Sequence, residues 1–142
     1  MIKFFKPEEE ERIIEAIRKA ELNTSGEVRV HLEANCKGEI VREAVRTFRR
    51  LGMHKTKARN AVLIFLAPER REFAIIGDKG INEQLPENFW QEERDLMLEH
   101  FRQGAFAKGV CEAIGQVGEK LKVFFPYQQD DTNELPDDIS YS

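Results

Sequence analysis

The sequence predicts an α/β domain, a three-layer α/β/α sandwich around a small mixed sheet, with its elements in the order α-β-α-β-β-α-α. Three observations predict it. Residues 61–67 (AVLIFLA) form an uninterrupted apolar run with the length and β-branched content of a strand buried on both faces. Further strand-like segments lie on either side of that run in the chain. Amphipathic segments with helical spacing precede, separate and follow the strands, as a sheet covered on both faces requires.

The first element is a helix over 7–22. Pro7 suits the first helical position, where a missing N–H costs nothing, and Glu8, Glu9, Glu10 and Glu11 sit where the helix dipole favours negative charge. Ile13, Ile17 and Ala20 make its apolar stripe, widened by Ile14, and residues 23–26 (NTSG) break it. Residues 27–34 alternate, with Val28, Val30 and Leu32 on one side and Glu27, Arg29, His31 and Glu33 on the other, so they read as a strand with a polar face. A second helix over 39–52 carries Ile40, Ala44, Phe48 and Leu51. A polar, basic connection (54–60) leads to the AVLIFLA strand.

Residues 68–71 turn the chain, and 72–77 (EFAIIG) return it as the second arm of an antiparallel hairpin. The strand-helix-strand unit before it implies a parallel pair with a right-handed crossover. Residues 81–86 read as a loop, 87–103 as a third helix and about 105–124 as a fourth, with the stripe Phe106, Val110, Ile114, Val117, Leu121 and Phe124. Gly109, Gly115 and Gly118 are unfavourable inside that helix by about 1 kcal/mol each relative to Ala, which predicts close helix-on-sheet approach as compensation. Residues 1–127 therefore form one domain. Residues 128–142 carry five acidic residues and no Lys or Arg, and read as a disordered acidic tail.

Composition narrows the function classes. The net charge of −4 works against non-specific nucleic-acid binding, which needs clustered Lys and Arg. No stretch approaches the 18 or so apolar residues that span a bilayer, and the N-terminus has no apolar signal segment, so a cytoplasmic domain without membrane insertion is expected. Cys36 and Cys111 lack CxxC spacing and read as a loop thiol and a buried helix thiol. His31, His54 and His100 have no HxxxH partner and read as surface or core-edge residues. There is no GxSxG, no Walker motif and no EF-hand pattern.

Several segments together carry a resemblance: residues 25–30 (SGEVRV), 60–64 (NAVLI), 76–81 (IGDKGI), Leu85-Pro86 with Trp90, and 100–109 (HFRQGAFAKG). In order and spacing they resemble the TPM-domain family over about residues 8–125. That family includes a thylakoid-lumen protein described as an acid phosphatase, photosystem II repair factors and an acetylcholine-receptor accessory protein. The resemblance implies an α/β/α sandwich, and either phosphatase activity, as in some plant members, or binding of a divalent cation, calcium especially. Many relatives carry a signal peptide and a membrane helix, and neither is expected from the residues here. The chain also reads 77–82 (GDKGIN) where many relatives read Gly-x-Gly-x-Glu-Gly.

The residues themselves point to one edge of the sheet. Asp78 ends a strand in a Gly-flanked turn, its hairpin partner begins beside Asn60, and the parallel first strand begins at Glu27. Glu27, Asn60 and Asp78 are thus expected to converge, and two carboxylates with an amide oxygen suit calcium or magnesium. An ion-paired, hydrogen-bonded strand edge is the alternative. A phosphatase would use Asp78 with a bound metal, and Arg29 or Lys79 for the developing phosphoryl charge. Lys55, Lys57 and Arg59 form either an anion-binding stretch or a solvated connector. Phe89 and Trp90 either roof a pocket beside Asp78 or pack in the core. The leading expectation is an accessory domain that binds a divalent cation. The alternatives are a metal-dependent phosphatase acting on phosphomonoesters and a protein-interaction module that captures a partner through the acidic tail.

Overall fold

The computed structural model describes residues 4–86, 88–127 and 135–142. The elements are α1 (Pro7–Glu21), β1 (Glu27–Leu32), α2 (Ile40–Arg50), β2 (Ala61–Ala67), β3 (Glu72–Gly77), the single turn α3 (Lys79–Asn82), α4 (Gln91–Arg102), α5 (Phe106–Phe124) and β4 (Ile139–Tyr141). The four strands lie in the order β3-β2-β1-β4. β1 runs parallel to β2, with Glu27 beside Ala61, and β2 pairs antiparallel with β3. The predicted parallel pair, hairpin and mixed α/β fold are present.

Burial explains the layers. Every residue of β2 is buried, as expected of a strand covered on both faces. Even-numbered residues of β1 and β2, such as Val28, Val30, Val62 and Ile64, meet Ile13 and Ile17 of α1 and Ile114 and Val117 of α5. Odd-numbered Leu63 and Phe65 meet Ala44 and Phe48 of α2, with Met53 beside them. Helices α1, α4 and α5 thus form one layer and α2 the other.

Four details differ from the expectations. The β4 strand pairs in parallel with β1, setting Val30 beside Ile139 and Leu32 beside Tyr141. Leu135 and Ile139 are buried, one in each core. This corrects the expected disordered tail over 135–142: a few apolar side chains and an open β1 edge outweigh the acidic composition. Residues 128–134 of that expected tail lie outside the described residues. The predicted loop at 81–86 includes the end of α3, a turn that Asp78 caps by accepting the Lys79 N–H at 2.7 Å. The third long helix begins at Gln91 rather than 87, because turns closed by Phe89 N–H on Pro86 O and Gln91 N–H on Asn88 O come first.

The helix glycines make a helix–helix approach, not the predicted helix-on-sheet one. A Cβ on Gly118 would stand 2.8 Å from Ala20 Cβ of α1, and one on Gly109 would stand 2.7 Å from His100 Cβ of α4. Open space surrounds the same position at Gly115.

Candidate functional site

The loop before β1 sets the site. Thr24 Oγ1 donates to Phe125 O and accepts the Gly26 N–H at 3.0 Å. Ser25 N–H donates to Phe125 O at 2.9 Å. These bonds anchor residues 24–26 to the end of α5 and deliver Glu27 to the start of β1. There Glu27 N–H meets Asn60 O at 3.4 Å.

Glu27 is buried at 3% exposure and lines an open cleft of about 450 Å³ with Glu15, Arg18, Glu21 and Asp137. Glu21, at the end of α1, accepts the Val28 N–H at 2.8 Å. Burial pushes its carboxyl up to about 10, and the hydrogen bond it shares with Asp137 and the charge of Glu27 push the same way. Asn60 lies next to this cleft. It is 1% exposed, and its amide nitrogen reaches Ser25 Oγ, itself a cleft residue, at 3.4 Å. Asn60 Oδ1 is buried with no partner among the described residues.

Asp78 sits differently. Register places it across β2 from Glu27, two strand spacings away or roughly 10 Å. Its carboxylate receives Arg59 Nε at 2.7 Å and Arg59 Nη2 at 2.9 Å, a two-point ion pair. It lines a second cleft, of about 400 Å³, with Arg49, His54, Arg59 and Lys79. The structure therefore joins Glu27 with Asn60 and gives Asp78 an arginine partner. Among the described residues, no three His, Cys, Asp or Glu side chains already form a metal-ready group.

The other candidates fall elsewhere. Arg29 is not the arginine on Asp78. It is half-buried, its Nε is without a partner among the described residues, burial lowers its pKa, and Asp138 is its charged neighbour. Trp90 is buried in the α1/α4/α5 core. Lys120 stands 4.7 Å from the centroid of the Phe89 ring and pairs with the fully buried Glu93 at 2.8 Å. Both cysteines are free and partly exposed, so Cys111 is less buried than expected. His31 is buried beneath β4, with Nδ1 2.7 Å from Ser140 Oγ and Nε2 2.8 Å from Ser142 Oγ. No helix among the described residues is long and apolar enough to cross a membrane. Sequence reasoning missed Glu21 and Asp137. Glu21 ends a helix and Asp137 lies in a segment expected to be disordered, so no local spacing linked either to Glu27.

These observations define a class: a mixed four-stranded α/β domain with an acidic cleft at the start of β1. The chain belongs to the TPM-domain family, whose model matches residues 2–120. It is similar to BA42 from the psychrophilic bacterium Bizionia argentinensis, solved by NMR, at 42% identity and a TM-score of 0.94, over 100% of this chain and 98% of that one. The N-terminal domain of a P. gingivalis protein matches at 22% identity and a TM-score of 0.67, over 85% of this chain and 78% of that one, a likeness of fold. No curated protein matches the chain.

Proposed function

We propose that this TPM domain binds a divalent cation, calcium or magnesium, in the cleft at the start of β1. Glu27 and Asn60 supply oxygens, and Glu21 and Asp137 supply further carboxylate charge. The observation that carries the reading is the gathering of Glu21, Glu27 and Asp137 in one cleft beside the buried Asn60 Oδ1, with burial raising the Glu21 pKa. A cation entering there would favour the ionised form of Glu21, releasing its proton, and would give Asn60 Oδ1 the partner it lacks among the described residues. Asp78 has a structural part in this reading: it fixes Arg59 and caps α3.

Thermal melts of the full chain in EDTA, calcium or magnesium test it. A ligand that binds only the folded state at a hundredfold excess over Kd adds roughly 2.7 kcal/mol. The expected result is a saturable rise in Tm with one ion that Glu27→Gln removes and Asp78→Asn leaves in place. Loss of the rise in Asp78→Asn alone would move the site to the other cleft, and no rise with either ion would end the cation reading.

A further inference from the structure

A third hollow, mainly apolar, is shared by α2, β3 and the segment that joins α3 to α4. It measures about 490 Å³, within the range of roughly 300–1,000 Å³ common to small-ligand pockets. Val41 and Val45 line it from α2 and are 48% and 38% exposed, apolar side chains left in solvent. Leu85, Phe89 and Trp90 line it from the segment before α4, and Ile76 from β3.

Two features fit this hollow to one kind of ligand. The first is an aromatic wall formed in advance. The Phe89 and Trp90 rings meet edge to face with centroids 4.6 Å apart. Lys120 Nζ stands 4.7 Å and 5.9 Å from those two centroids and donates to Phe89 O at 2.6 Å. A wall fixed in this way loses little freedom when a ligand arrives. The second feature is charge. Arg94 of α4 is half-buried and lines the hollow, and its guanidinium has no hydrogen-bond or ion-pair partner among the described residues. No Asp or Glu among the described residues lines the hollow. The acids of the adjoining Asp78 cleft are paired elsewhere, Asp78 with Arg59 and Glu83 with Lys79. A half-buried guanidinium beside apolar surface, with no carboxylate of its own, favours an anion that brings one.

We propose that this hollow binds a small amphipathic monocarboxylate, with its apolar body against Val45, Leu85 and Trp90 and its carboxylate on Arg94. One guanidinium balances one negative charge, whereas a phosphate monoester brings about two at neutral pH. The site is separate from the acidic cleft at β1 and does not depend on an ion bound there.

Trp90 is the only tryptophan of the chain, so its fluorescence reports occupancy of the hollow. The full chain is titrated with octanoate, octanol, octylamine and octyl phosphate, each below its micelle concentration. Octanoate should give a saturable change and shift the methyl signals of Val41, Val45 and Leu85. Octanol and octylamine should bind about tenfold or more weakly, and octyl phosphate no more tightly than octanoate. Arg94→Gln should lower octanoate to the level of octanol, and Val45→Asp should weaken it by about tenfold or more. Both positions are partly or fully exposed, so both variants should keep the wild-type circular dichroism and melt. No saturable change with octanoate, equal binding of octanol, tighter binding of octyl phosphate, or an affinity unchanged in folded Arg94→Gln would overturn the proposal. So would methyl shifts confined to other surfaces.

Discussion

Glu21 shows how one side chain can carry a fold-level cost. Its carboxyl sits at the end of α1 against Val28 N–H, Asp137 and Glu27, and burial raises its pKa from the ordinary 4.5 to about 10. A raised pKa contributes stability that is complete below the unfolded value and is lost as pH rises through the folded one. At pH 7–8 the unfolded chain gains by ionising Glu21, so the native state is penalised there. Glu21→Gln keeps an acceptor for Val28 N–H and removes that penalty. Its Tm should match the wild type near pH 4 and exceed it at pH 8, by on the order of 1 kcal/mol in urea titrations. Equal stability at both pH values would show that Glu21 is ionised in the folded chain. The residue scale is also where the sequence was least legible. The neighbours of Glu27 come from an α1 terminus and from residue 137, which no spacing rule connects. Glu27 and Asn60 were readable because both lie at the start of paired parallel strands.

At the scale of elements, α5 illustrates close packing between helices. Gly118 faces Ala20 of α1, where an added Cβ would approach to 2.8 Å, while Gly115 faces open space. Gly115→Ala should therefore stabilise the chain by roughly 0.5–1 kcal/mol through helix propensity alone. Gly118→Ala should destabilise it by about 1–3 kcal/mol, because overpacking outweighs that gain. Chemical denaturation of both variants checks the opposite signs. The α4–α5 contact also holds a buried ion pair. Glu93 is fully buried, and Lys120 reaches it at 2.8 Å while also donating to Phe89 O at 2.6 Å. Lys120→Met leaves a buried carboxylate without its cation and should cost about 3–5 kcal/mol, with much of the loss restored in the Lys120→Met, Glu93→Leu double variant. Most elements were legible because their signals are local: Pro7 with four glutamates, the AVLIFLA run, the stripe from Phe106 to Phe124. The β4 strand was not, since three residues that follow two aspartates have no periodicity of their own. Its reason for existing is the distant β1 edge and the His31 ring beneath Ser140 and Ser142.

For the molecule as a whole, charged side chains gather on both sides of β2 at one end of the sheet. The acidic cleft at β1 and the Asp78 cleft at β3 flank the same strand β2, with Glu27 and Asp78 on opposite sides of Ala61. The alternating pattern around a central apolar strand predicts the layers, the parallel pair and the hairpin. It does not predict which charged side chains meet, because that depends on loop paths such as the Thr24 anchor on Phe125. Because β4 is part of the sheet, function has to be measured on the full chain, with Asp130→Asn and Asp131→Asn as a control for loose binding by those carboxylates. Isothermal titration of calcium and of magnesium into that chain, in two buffers of different ionisation enthalpy, tests the cation site most directly. The account predicts saturable binding of one ion per chain with release of a proton, abolished by Glu27→Gln. Titration with no heat of binding, or binding unchanged in Glu27→Gln, would contradict it.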